Sequence, residues 1–235
     1  MTTAYSRRAV LRQIGLGGIA AATVPFASVQ HAFAQLDDRP WYYLTDAEAR
    51  WLAAACDVFI PQDEYPSASQ AGVVDFIDLQ LGGDYGRGAG LYLQGPFRDG
   101  TPSQGYQLQQ TPAELIRQGI AGHMDEGQVL FDLDGTARAD AVQTLSERDD
   151  MLGDVPAATF FTELRSLTNE GYFADPIYLG NTQYAGWRMV GFPGAHAYYL
   201  DRVDDHNRPH RQPPMGIAHD PSGRSTLPRL ISREG

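Results

Sequence analysis

The stretch EGYFADPIYLGNTQYAGWRMVGFPGA, Glu170 to Ala195, decides how this chain is read. It crowds aromatics and glycines around two prolines and has neither a helical nor an alternating period. From Tyr172 to Tyr199 there are eight aromatic residues, well above the 11% of the whole chain. The stretch contains no framed nucleophile, metal cluster or phosphate loop, so it must serve packing or contact rather than chemistry.

Working outward, the preceding residues are helical. Phe160, Phe161, Leu164 and Leu167 recur at three-to-four spacing, in a helix expected to be capped by Asp154 with Pro156 in its first turn. Thr45-x-x-Glu48 is a capping box that opens a helix with Leu52, Ala55, Cys56 and Phe59 on one face, ending before Pro61. Val73, Phe76, Ile77 and Leu81 mark a second helix, stopped by Gly82-Gly83. The run Gly82–Gly88 reads as linker, and 84–110 as loop. Thr111-Pro112-x-Glu114 launches a helix expected to reach about Phe131, and another holds Val142 and Leu145. The fold class expected is all-α: an irregular helical domain over residues 35–200, with long loops and an extended C-terminal tail. That tail, residues 201–235, carries five prolines and six arginines with few large apolar groups, too little to order itself alone.

Residues 1–34 read as a processing segment. Arg7 and Arg8 lie in S-R-R-x-V-L-R, ahead of a short Gly/Ala-rich apolar run and an Ala32-Phe33-Ala34 cleavage site, the pattern of a twin-arginine export signal. Pro25 and the glycines make that run a poor membrane anchor. The expected location is the periplasm. All 18 basic residues are Arg; three of them and none of the 29 acids lie in 1–34, so the remainder carries 15 against 29, a net charge of −14. Such an acidic chain without a basic block is a poor nucleic-acid binder.

Twin-arginine export carries folded proteins and suits a cofactor, yet the chain shows no site for one. Its single cysteine, Cys56, cannot hold an iron–sulfur cluster or attach a c-type haem, and its place on an apolar helix face makes it a buried, inert thiol. No dinucleotide or Walker loop is present. His206, His210 and His219 lie in the tail, where Pro209 breaks any helical pair, with His123 and His196 elsewhere; metal binding is disfavoured. Asp132-Leu133-Asp134-Gly135 is a turn, because its glycine comes two places early for a calcium loop. Asp57, Asp63 and Glu64 read as solvated surface rather than an acid–base pair. No catalytic residue is assigned.

Gly171-Tyr172-Phe173-Ala174-Asp175-Pro176, Gly180-Asn181, Gly186-Trp187 and Gly191-Phe192-Pro193-Gly194-Ala195 resemble the gluconate 2-dehydrogenase subunit 3 family. The leader, Ile60-Pro61, Gly72–Leu81, Gly95-Pro96-Phe97 and Phe160–Arg165 fit the same pattern in order; Leu179 departs from it, standing where a glycine often precedes the Gly-Asn pair. The resemblance implies a small subunit without cofactor or catalytic residues. Its partners would be a flavoprotein dehydrogenase of the glucose–methanol–choline (GMC) type carrying FAD, and a multihaem cytochrome c subunit. The small subunit would support maturation and export of the flavoprotein and meet the membrane only through its partners. Tyr172, Phe173, Asp175, Pro176, Asn181, Trp187, Phe192 and Pro193 then become the expected partner interface, with some of these aromatics plugging the domain's own core. The alternatives are a free-standing periplasmic binding module or a metal-dependent enzyme.

Overall fold

The computed structural model describes residues 40–98, 100, 101, 104, 107–195, 203–208 and 212–217. Arg7 and Arg8, with the rest of the leader, lie outside the described residues, as do His196, His210 and His219. The chain builds α1 (Asp46–Phe59), α2 (Val73–Gly82), α3 (Pro112–Asp125), α4 (Gly135–Ser146), a hairpin of β1 (Met151–Leu152) and β2 (Val155–Pro156), α5 (Ala157–Phe173) and α6 (Ala185–Val190). Three 3-10 turns, Leu130–Asp132, Pro176–Tyr178 and Thr182–Tyr184, fill corners. The all-α expectation holds.

Both capping boxes form. Thr45 and Thr111 each accept from the backbone N–H three residues on, while Glu48 and Glu114 accept from the cap N–H. Each pair satisfies two of the donors that a helix start leaves orphaned. Helix α1 is more enclosed than its expected amphipathic face suggests. Trp51 to Cys56 are all solvent-free, because α2, α3, α4 and α5 pack around it, and three consecutive alanines let them come close. Cys56 is fully buried, its Sγ 3.2 Å from the Thr168 hydroxyl, and burial pushes its thiol up to about 12, so it is inert.

The domain is closed at its N-terminal edge by one carboxylate. Asp78 on α2 accepts from the amides of Tyr42, Tyr43 and Leu44 at 2.8–2.9 Å. Arg117 of α3 lies 3.9 Å over the Tyr43 ring and pairs with Glu48 at 2.8 Å, joining this edge to the α1 cap.

Three local expectations are corrected. Helix α3 ends at Asp125, not near Phe131, because Gly127 turns left-handed (φ 84°) and the Gln128 amide folds back onto the His123 carbonyl. Helix α5 is not capped by Asp154: Gly153 and Asp154 form the two-residue turn of the β hairpin, and the helix starts after Pro156. The hairpin escapes periodicity because each strand is two residues long, yet it buries Leu152 and Val155 completely. Finally, Gly82–Gly88 is a folded corner rather than a linker. Gly86 bonds Gln80 on one side and Ala113 on the other, and the Tyr85 hydroxyl donates to Glu163 of α5.

His123 sits on α3 with its ring edge-on to Trp51, 5.4 Å between centroids; only 3% of it is exposed, and Nδ1 has no hydrogen-bond partner. Burial lowers its pKa, aided by nearby Arg148 and opposed by Glu126. The native state therefore prefers the neutral ring. Its stability contribution is full above the unfolded value of about 6.5 and is lost as pH falls below it. Urea midpoints should drop from pH 7.5 to 5.5, and His123→Phe should remove part of that drop. Equal pH dependence in the two proteins would refute the assignment.

Candidate functional site

The residues after α5 form an irregular knot whose geometry follows from its prolines, glycines and one asparagine. The helix ends at Phe173, with Ala174 already extended, and Asp175 continues in the extended backbone that the following proline favours. Its Oδ1 accepts from the Ile177 amide at 3.0 Å, capping the turn Pro176–Tyr178. Asn181, fully buried, adopts the left-handed conformation that asparagine tolerates (φ 52°). Its Nδ2 donates to the Ala174 carbonyl and its Oδ1 accepts from the Gly186 amide, both at 2.8 Å. Glycines 180 and 186 are demanded by close approach: a Cβ on either would lie 2.1 Å from a carbonyl oxygen of α5, that of Gly171 or Tyr172.

Aromatic side chains complete the packing. Tyr172 is solvent-free and its hydroxyl donates to the Pro66 carbonyl at 2.7 Å. The Trp187 indole N–H donates to the Phe173 carbonyl at 2.7 Å; Tyr184 stacks on its ring and Phe192 meets it edge-on, with centroids 5.4 and 5.0 Å away. A short strap, residues 212–217, then returns to the knot. Met215 bridges Gly194 in parallel, the Gly216 amide donates to the Tyr184 hydroxyl at 3.0 Å, and the Ile217 amide donates to Asp175 Oδ2 at 2.7 Å.

The eight residues expected at a partner surface thus divide. Tyr172, Asp175, Asn181 and Trp187 face inward and hold the knot together; Pro176 and Pro193 are half-buried; Phe173 and Phe192 are exposed. Sequence reasoning missed the aliphatic part of the exposed set: Leu179, Met189 and Val190, with Tyr178 beside them, are all 37–60% exposed. The clue was present at Leu179, the one residue that departs from the pattern noted in the sequence. The backbone there is left-handed (φ 76°), and Gln183 and Tyr184 are left-handed too, so the knot holds several costly non-glycine conformations.

Among the described residues, no three His, Cys, Asp or Glu side chains converge as a metal site, and no helix is long and apolar enough to cross a membrane. What the knot can do chemically is bind: a rigid interior carries an exposed apolar rim.

Two predictions test the division. Trp187→Ala removes a packed indole and should cost about 3–5 kcal/mol of stability, whereas Phe192→Ala should leave the thermal midpoint nearly unchanged. Equal midpoint losses would refute the inward–outward partition. Leu179→Gly relieves a left-handed leucine and should raise stability by roughly 1 kcal/mol, read in urea unfolding; a loss instead would show that the Leu179 side chain holds the knot.

The family model for gluconate 2-dehydrogenase subunit 3 matches residues 46–194, from the first residue of α1 to the glycine bridged by the strap. No curated protein and no solved structure matches the chain. With the match covering well over half of the sequence and all of the knot, the chain belongs to the gluconate 2-dehydrogenase subunit 3 family.

Proposed function

We propose that this protein is the non-catalytic small subunit of a periplasmic sugar, sugar-acid or polyol dehydrogenase complex, and that it supports folding and twin-arginine export of a GMC-type flavoprotein partner. The observation that carries the reading is the exposed apolar rim of Tyr178, Leu179, Met189, Val190 and Phe192. It lies on a segment within the family match whose interior is tied together by the Asn181 and Trp187 hydrogen bonds. A monomer working alone gains nothing from holding such groups in water, and obligate subunit contacts are apolar at their centre. FAD and haem c belong, in this reading, to the flavoprotein and to a multihaem cytochrome c subunit, which also supplies the link to the membrane. The paired arginines of the leader support a shared export route, in which one signal serves both chains.

Replacing Arg7 and Arg8 together by Lys should strand both this chain and the flavoprotein in the cytoplasm, measured by fractionation and immunoblot. A flavoprotein that still reaches the periplasm would refute shared export.

A further inference from the structure

Among the described residues, the strap's main-chain hydrogen bonds all involve Met215, Gly216 or Ile217: Ala195 N–H to the Met215 carbonyl at 2.7 Å, Met215 N–H to the Pro193 carbonyl at 3.2 Å, and the bonds to Tyr184 and Asp175. Gln212, Pro213 and Pro214 project beyond these anchors and form one wall of an open cleft of about 460 Å³. Tyr65, Trp187, Arg188, Gly191 and Phe192 form the rest. The strap lies outside residues 46–194, so the cleft joins the family domain to an element of this chain beyond it.

Its chemistry is distinct from the rest of the molecule. The chain carries 29 acidic residues against 18 arginines, yet among the described residues no acid lines the cleft. Arg188 is exposed and makes no ion pair with any described residue. Beside it, Phe192 is 47% exposed and Pro213 and Pro214 offer an apolar wall without N–H donors. Gly191 leaves open space where a Cβ would stand, room for a ligand backbone to approach. The Trp187 ring, by contrast, is enclosed by Tyr184 and Phe192 and its N–H is used, so the indole itself offers no bare face to a sugar ring. An open-ended trough with an aromatic and proline wall and one cation fits an extended polypeptide, with a carboxylate meeting the guanidinium.

We propose that this cleft docks an extended acidic segment of the flavoprotein subunit, seating an apolar side chain between Phe192 and Pro213–Pro214 and a carboxylate against Arg188. The inference rests on the small-subunit reading above and names the part of the surface that recognises the partner. Met189 and Val190, exposed on the same turn as Arg188, extend the contact beyond the cleft.

The test uses the full-length chain, co-expressed with the flavoprotein and purified for binding measurements. Arg188→Glu should raise the dissociation constant by roughly tenfold or more, about 1.4 kcal/mol, while Arg188→Lys stays close to wild type. Arg87→Glu, a matched charge reversal on the Gly82–Gly88 corner, should leave binding unchanged. Wild-type affinity should fall between roughly 0.05 and 0.5 M salt, and the Arg188→Glu protein should lose most of that dependence. With a photoreactive benzophenone amino acid at Phe192, the cross-linked peptide should come from the flavoprotein and contain Asp or Glu next to an apolar residue. Wild type and Arg188→Glu binding the flavoprotein equally tightly, or a cross-link to an acid-free segment, would overturn the cleft assignment and leave the small-subunit reading intact. A flavoprotein that does not bind the wild-type chain at all would overturn both. Gluconate binding to the free chain, abolished by Arg188→Glu, would replace the peptide by a small acid and also overturn the proposal.

Discussion

Asn181 bridges two segments that would otherwise separate. One side-chain amide, fully enclosed, accepts the backbone N–H that starts α6 and donates to the carbonyl that ends α5. The Gly186 amide is buried, so losing the Asn181 side chain would leave it unsatisfied, at a cost of about 1–3 kcal/mol. The left-handed backbone at Asn181 is what aims the amide both ways, and asparagine accepts that conformation more readily than most residues. Trp187 is held inside by its own bond to the Phe173 carbonyl, and Phe192 stays at the surface.

Around this pin the domain separates rigidity from recognition. Trp187, Tyr172 and Asp175 spend their polar groups on carbonyls and amides of their own chain, leaving a fixed platform. The groups left outward include Tyr178, Leu179, Met189, Val190 and Phe192, with Leu179 held on left-handed backbone. A preorganised apolar surface loses little entropy on association, which suits the subunit of a complex. Asp175 carries the design furthest, since its two oxygens cap the turn of the knot and pin the strap.

Helix α1 plays the matching part in the core. Its alanines bring four helices within contact distance, and the cysteine in its last turn is enclosed too deeply to be ionised or to reach a partner. That depth separates a core thiol from a covalent link between subunits.

The features legible in the sequence are those set by near neighbours. The Thr45–Glu48 and Thr111–Glu114 boxes close between residues three apart, so their helix starts could be placed without any tertiary information. The stops at Pro61 and Gly82, and the family pattern of the knot, were legible for the same reason. Other features depended on distant partners. The corner at Gly82–Gly88 orders because Tyr85 reaches Glu163, 78 positions away, and a glycine-rich run carries no sign of that contact. Trp187 and Phe192 are both large aromatics beside a glycine, indistinguishable as core or surface by composition. Only the fold sets the Phe173 carbonyl where the indole can donate to it and leaves the Phe192 ring facing the cleft, since burial depends on which distant groups arrive on each side of a residue.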